Sequence, residues 1–263
     1  MKEGFKLCSK QGVKILKSTQ IPFCHGFTTI NGGVGRKKEY RGLNLGVNSE
    51  DKQENIMENY RRLCSAFSID QSKIAVLNQV HSESVYCVRD NSLLDGVNCP
   101  SKRIEGDGLI TAMPGVTLMV FYADCVPVLL CDPVKKVVGA VHSGWRGTVK
   151  GIAAKACRMM QEEYGCRDII CAIGPSIGIC HFETGMEVYA EFKKKFGDAV
   201  DQWVEIKGDK AYISMQDCIR EDLIRSGAKQ VDIAYECSIC ANDRYYSHRC
   251  GDLGRMAAFI TAE

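Results

Sequence analysis

The chain contains five histidines, His25, His81, His142, His181 and His248, and two of them stand where a site would be built. His81 follows the strand-like run KIAVLNQV. His142 closes the apolar run VVGAV and leads into SGWRG, a glycine turn before a helical segment. Between them, Tyr122-Ala123-Asp124-Cys125-Val126-Pro127 interrupts two apolar runs. A charged Asp beside a Cys in such surroundings is costly unless it is paired or used. His81, Cys125 and His142 together offer a thiolate and two neutral imidazoles, a donor set that suits zinc. Three protein ligands and one open position are the pattern of a catalytic zinc, which lowers the pKa of a bound water to ~7 and acts as a Lewis acid. Taken singly, each residue also has an ordinary reading, as a satisfied structural histidine or a core cysteine.

Beside this trio, Ser143-Gly144-Trp145-Arg146-Gly147 opens a helix. Unpaired N–H groups at a helix start attract anions, phosphate above all. Arg146 would add a bidentate clamp. The same segment reads equally as a tight turn with Trp145 in the core and Arg146 in a surface ion pair. A second glycine turn, Gly174–Gly178, could line the same cleft. Near the C-terminus, Cys237, Cys240, His248 and Cys250 have the spacing C-x2-C-x7-H-x-C. It allows a closed second metal site, against unligated reduced thiols.

Two other chemistries use the same trio. A His2Cys set suits a blue-copper centre with a weak axial Met, but five histidines without a His-x-His pair are too few for a multicopper cluster. Cys125 as a nucleophile, with His81 or His142 as base, fits a Cys–His hydrolase. A non-enzymic metal-binding scaffold acting through a partner is a fourth reading.

The elements that must position these residues mix strands and helices. Strand-like apolar runs cover 73–77, 84–88, 117–122, 126–131, 136–141, 168–173 and 231–235. A helix is expected from Asp51, with Asp51 and Glu54 as a capping box, and with Ile56, Tyr60, Leu63, Cys64 and Phe67 on one face. Others are expected from about Thr148 to Tyr164, from Met186 to Phe196, and from Ser214 to Gly227. The runs 117–122, 126–131 and 136–141 follow one another through short connections, which suit antiparallel neighbours. The fold class is therefore α+β. Neither a repeat nor a Pro/Ser-rich linker divides residues 1–263, so one domain is expected.

Composition narrows the function. Apolar residues at 45% and charged residues at 25% are ordinary for a globular chain and exclude disorder and coiled coil. The 34 basic and 32 acidic side chains leave a net charge of +2, too little field to hold a nucleic-acid backbone. Lys193–Lys195 lies opposite Val188, Phe192 and Phe196 and reads as a solvated helix face. No uncharged apolar run approaches the ~18 residues of a membrane helix, and the N-terminal stretch lacks a signal-type apolar region. A cytoplasmic location is expected. The 15 cysteines then read as reduced thiols, mostly small buried apolar residues.

The motifs also resemble a family. They are HGF at His25–Phe27, GGV at Gly32–Val34, LNLG at Leu43–Gly46, QVH at Gln79–His81 and DGLIT at Asp107–Thr111. They continue with ADCVPVLL at Ala123–Leu130, HSGWRGT at His142–Thr148, GPSIG at Gly174–Gly178, SHR at Ser247–Arg249 and GRMA at Gly254–Ala257. In this order they resemble the YfiH-type laccase-domain proteins, first named multicopper polyphenol oxidases. The resemblance implies a layered α/β/β/α sandwich with mixed or largely antiparallel sheets. It implies a zinc site on His81, Cys125 and His142. It further implies phosphorolysis of adenosine, inosine, guanosine and methylthioadenosine, with deamination of adenosine. In that reading Asp124 and Cys125 are catalytic, Asn44, Ser143 and Arg146 bind substrate or phosphate, and the protein is a monomer or homodimer. An amidase that edits peptidoglycan precursors is a role also associated with relatives. Three positions depart from the family's pattern: Ile30 in place of an Arg, Thr184 in place of a Val, and Tyr60 between Asn59 and Arg61.

Overall fold

A computed structural model describes residues 4–263 of the chain. In chain order its first strands are β1 (Phe5–Lys10), β2 (Val13–Ser18), β3 (His25–Thr28), β4 (Ile74–Ala75), β5 (Val85–Val88), β6 (Gly108–Thr111), β7 (Thr117–Tyr122) and β8 (Val126–Asp132). They continue with β9 (Val137–Ser143), β10 (Ile170–Ile173), β11 (Glu183–Gly185), β12 (Val204–Lys207), β13 (Lys210–Ile213), β14 (Gln230–Ile233) and β15 (Met256–Thr261). The helices are α1 (Gln53–Phe67), α2 (Trp145–Lys150), α3 (Ile152–Tyr164), α4 (Met186–Phe196) and α5 (Met215–Arg225).

Two six-stranded sheets form the centre. The first has the order β1-β2-β3-β15-β7-β4 and the second β14-β10-β8-β9-β6-β5; a small sheet β11-β13-β12 lies apart. Neighbours are antiparallel except β4 with β7, β10 with β14 and β5 with β6. Side chains alternate across each strand, and both faces of each large sheet are covered. On β7, Leu118, Val120 and Tyr122 meet Leu129, Cys131 and Ala140 of the second sheet. Met119 and Phe121 face the other way, onto Ile56, Tyr60 and Leu63 of α1. On the second sheet, Val126, Val128 and Leu130 pack on Ile152, Ala156 and Met160 of α3 and on Ile219 and Leu223 of α5. The layers are therefore α/β/β/α, in accord with the expected sandwich. Burial on both faces explains why 117–132 reads as nearly unbroken apolar sequence.

Four expectations need correcting. The strands β7 and β8 are not hydrogen-bonded neighbours: β7 belongs to the first sheet and β8 to the second, so the short link between them changes sheets. Only β8 and β9 form the expected antiparallel pair. The helix expected from Thr148 starts at Trp145 and is broken at Gly151, whose φ of 74° ends α2 and begins α3. No capping box forms on α1. Asp51 instead accepts from the Lys52 N–H at 2.8 Å and the Asn55 amide at 3.1 Å. The run 73–77 yields only the two-residue β4. The stops at Gly165 and Gly197 and the start of α5 near Ser214 are as expected, while α5 ends at Arg225.

None of the fifteen cysteines is in a disulfide, and Cys131, Cys157, Cys166, Cys171 and Cys218 are buried core residues. No helix among the described residues is long and apolar enough to cross a membrane.

His25, at the start of β3, is fully buried. The Ser18 N–H donates to its Nε2 at 3.1 Å, so Nδ1–H donates to the Phe23 carbonyl at 2.8 Å and the ring is neutral. Burial outweighs that carbonyl and pulls the imidazole down to about 4. Between pH ~6.5 and ~4 the unfolded chain binds a proton that the native chain refuses, so stability is full above this window and lost as pH falls through it. His25 is expected to cost about 2 kcal/mol between pH 7 and 5. Urea midpoints across that range should fall less steeply for His25→Gln than for the parent; equal slopes would remove the assignment.

Candidate metal centre

The link that changes sheets delivers the first ligand. Asp124 has φ 82°, a left-handed conformation that a short polar residue tolerates at modest cost. The corner is held from three sides. Ser238 Oγ donates to Asp124 Oδ1 at 2.6 Å, the Arg249 N–H to Oδ2 at 2.8 Å, and the Ile177 N–H to the Asp124 carbonyl at 2.8 Å. Cys125 follows immediately. His142 lies on β9, in register with Pro127 of β8, so the hairpin fixes it beside Cys125. His81 comes from the turn before β5 and also has a positive φ, 59°. Two non-glycine residues with positive φ, both at this site, are the kind of local strain that surrounding structure holds at functional positions.

The three side chains converge. Cys125 Sγ is 3.7 Å from His81 Nε2, the two imidazoles meet edge to face at 4.9 Å between ring centroids, and the three ligand atoms lie within 4.8 Å of one another. Zinc bonds of ~2.3 Å to sulfur and ~2.0 Å to nitrogen place tetrahedral ligand atoms roughly 3.5 Å apart. The trio therefore fits such an ion in donor type and spacing, and leaves a fourth side for substrate.

A residue outside the expected set organises it. Asp107 is fully buried. Its Oδ1 accepts from His142 Nδ1 at 2.8 Å and from the His81 N–H at 3.2 Å. Its Oδ2 accepts from the Ser82 N–H at 2.6 Å, Ser82 Oγ at 2.7 Å and the Val80 N–H at 3.3 Å. One carboxylate thus shapes the His81 turn and fixes the His142 tautomer, leaving Nε2 free to ligate. Gln79 pins the same turn, exchanging two hydrogen bonds with the Phe121 backbone at 2.8 and 2.6 Å. The sequence signal was present in DGLIT and QVH but did not say what the polar residues face.

Without an ion, the electrostatics favour separated charge. Burial pushes the Cys125 thiol up, but the two imidazoles override it and bring it to about 6. Burial pulls His142 down, but the Cys125 sulfur and the Asp107 carboxylate raise it to about 9. Thiolate beside imidazolium is the ground state of a reactive cysteine and also a primed metal ligand.

Gly144 closes the site from beneath. Its φ of −72° is ordinary, but a Cβ there would lie 2.7 Å from His81 Cδ2 and 3.3 Å from Cys125 Sγ. Gly144→Ala is therefore expected to displace His81 with little cost in folding. Affinity for the ion should fall about 10–100-fold, as when ligand orientation is lost, in competition titrations against a chromophoric chelator. Unchanged affinity would mean that His81 does not ligate from this position.

The trio forms the floor of a cavity of about 390 Å³ whose wall includes Leu77, Phe121, His248 and Arg255, within the range of small-molecule sites. Of the residues expected to bind substrate or phosphate, none lines this cavity. Arg146 is exposed, stacks on Trp145 at 4.4 Å and lines a separate surface hollow with Lys194 and Lys195. Ser143 is buried and bonded to Thr148 at 2.9 Å. Asn44 is buried too, and its amide is spent on Ser49, Asp51, Gly46 and the Arg255 N–H. Both Asp124 oxygens are engaged away from the cavity. His248 and Arg255 are among the polar residues that do line it, with Asn48, Ser49 and Gln79; SHR and GRMA carried the first two. Ile30, Tyr60 and Thr184 do not line the cavity. The expected second metal set is also corrected. Cys237 and Cys240 gather with Cys180 and His181, whereas His248 lines the cavity and Cys250 joins neither group.

Comparison with known proteins agrees with this fold. The family model described as multi-copper polyphenol oxidoreductase laccase matches residues 24–263. A Deinococcus radiodurans protein named purine nucleoside phosphorylase is 34% identical over 253 residues, covering 95% of this chain and 93% of its own. Purine nucleoside phosphorylase LACC1 of Mus musculus is 32% identical across 96% of the chain, which spans only 59% of the mouse protein. The crystal structure of the Bacillus licheniformis hypothetical protein YfiH superposes with a TM-score of 0.92 at 28% identity, over 100% of both chains.

Proposed function

Because the chain belongs to the YfiH-type multi-copper polyphenol oxidoreductase laccase family, several of whose members are named purine nucleoside phosphorylases, we propose that it is a zinc-dependent purine nucleoside phosphorylase, acting as one cytoplasmic domain. The observation that carries this reading is the convergence of His81, Cys125 and His142 on the floor of a nucleoside-sized cavity that also offers Arg255 and His248. Zinc held there would supply Lewis acidity toward an oxygen or nitrogen of the substrate.

The chain's own groups do the rest. Val47, Leu77, Phe121 and Leu253 give an apolar wall for a purine ring. The Arg255 guanidinium, in part bound to the Leu253 and Gly254 carbonyls at 3.0 and 2.8 Å, offers donors to phosphate. In phosphorolysis a phosphate oxygen bonds to the ribose C1′ while the bond from C1′ to the purine breaks, its electron pair leaving on the base. We assign His248 the proton that the leaving purine takes up, since it is the one imidazole of the cavity lining outside the metal trio. Asp124 acts as a positioning residue for Cys125. Adenosine, inosine, guanosine and methylthioadenosine are the substrates of this reading, and hydrolysis of the adenosine amine to give inosine and ammonia is a second activity.

The test is purified zinc-loaded protein with each nucleoside and phosphate. Free base and ribose 1-phosphate are expected, with inosine from adenosine, and chelation should stop both until zinc is restored. Absence of all these products sinks the proposal. Turnover of an amide substrate that survives chelation would instead favour the hydrolase reading, for which the low Cys125 thiol beside His142 is the supporting observation.

A further inference from the structure

A second cluster lies outside the cavity. Cys180 and His181 follow the turn after β10, and Cys237 and Cys240 lie in the loop after β14. Their ligand atoms all fall within 4.8 Å of one another. His181 Nδ1 is 3.2 Å from Cys180 Sγ and 3.5 Å from both Cys237 Sγ and Cys240 Sγ; Cys180 Sγ and Cys240 Sγ are 3.7 Å apart. Tetrahedral zinc with bonds of ~2.3 Å to sulfur and ~2.0 Å to nitrogen requires edges of roughly 3.8 Å between sulfurs and 3.5 Å between sulfur and nitrogen. The observed distances approach those edges, and a disulfide, at ~2.05 Å, would use only two of the four groups. The Cys237-x-x-Cys240 turn is closed by the Ala241 N–H donating to the Cys237 carbonyl at 3.0 Å.

We propose that Cys180, His181, Cys237 and Cys240 hold a structural zinc ion, distinct from the one at His81, Cys125 and His142. Four protein ligands close the coordination shell, so this ion does no chemistry on substrate. It joins two loops that already meet through the Ser176 N–H to the Glu236 carbonyl at 3.1 Å and the Ser238 N–H to the Ser176 carbonyl at 2.9 Å. Both loops hold the Asp124 corner, through Ile177 and Ser238. The ion therefore clamps the support from which Cys125 projects, and this role stands whether or not the cavity binds nucleosides.

Metal content of the reduced full-length protein tests it. About two zinc ions per chain are expected in the parent, and about one each in Cys125→Ser and in Cys180→Ser/Cys240→Ser. Cys125→Ser loaded with cobalt(II) should show the visible bands of a tetrahedral site with thiolate-to-metal charge transfer, and should lose them when Cys180 and Cys240 are also changed. If the variants at Cys180 and Cys240 do not fold, the cobalt spectrum of Cys125→Ser decides alone. A single zinc in the parent that Cys180→Ser/Cys240→Ser retains, or a Cys125→Ser protein without thiolate charge transfer, overturns the proposal; a single zinc that this double variant loses supports it and counts instead against zinc at His81, Cys125 and His142.

Discussion

Cys125→Ser is expected to abolish phosphorolysis and to release one equivalent of zinc while leaving the fold intact. The serine hydroxyl occupies nearly the same volume, so the metal-free variant should unfold within about 1 kcal/mol of the metal-free parent. What changes is the ligand. The thiol is held at about 6 by His142 and His81 against the opposing effect of burial, so it ligates as an anion at neutral pH; a serine hydroxyl stays protonated. Affinity at this site should fall by more than the about 10–100-fold that loss of an outer partner costs. Turnover at micromolar zinc should fall with it. Metal analysis, chemical denaturation and release of free base measure the three effects separately. Retained turnover with zinc still bound at this site would show that Cys125 is not a ligand.

Asp107→Asn should damage stability and metal affinity together. Five donors converge on the two carboxylate oxygens: His142 Nδ1, Ser82 Oγ and the N–H groups of Val80, His81 and Ser82. An amide offers one accepting atom and one donating atom. Either way round, its NH₂ group faces donors, against His142 and His81 or against Ser82. Breaking this buried charged network is expected to cost about 3 kcal/mol, read as a drop in the urea midpoint. His142 also loses the partner that fixes its tautomer, for a further about 10–100-fold loss of affinity in a chelator competition. Ser82→Ala is the control. It removes one hydroxyl donor, costs about 1 kcal/mol and leaves the ion bound. Equal effects from the two substitutions would mean that Asp107 only shapes the turn.

The sequence disclosed the three convergent ligands because their types are chemically rare and their neighbourhoods apolar, and because the motifs around them resemble a family. It disclosed the central strands for the same reason: 117–122, 126–132 and 137–143 are buried on both faces. The strands β1, β2 and β3 went unread; the edge strand β1 is largely exposed and β3 is only four residues long. β15 is rich in Ala and Met, which carry no strand preference, so only pairing with β3 and β7 defines it. The short link at Ala123–Cys125 was misread as a hairpin because chain length alone does not distinguish a turn within a sheet from a step between two. That Asn44, Ser143 and Arg146 do not line the cavity was illegible for a related reason. A helix start predicts exposed N–H groups, but not which way they point; Arg146 turns onto Trp145 while Arg255, just before β15, lines the cavity.

The corner that carries Cys125 has a consequence beyond turnover. The partners gathered there come from distant stretches of polypeptide, so a denatured chain offers an ion nothing like the native trio. Whatever binds only the native form adds RT ln(1 + [L]/Kd) to its stability, about 4 kcal/mol at a thousandfold excess over Kd. If the ion is zinc, its supply would then govern how long each molecule survives heat and proteolysis. In zinc-starved cells the quantity of this protein should decline by degradation, and not merely its specific activity.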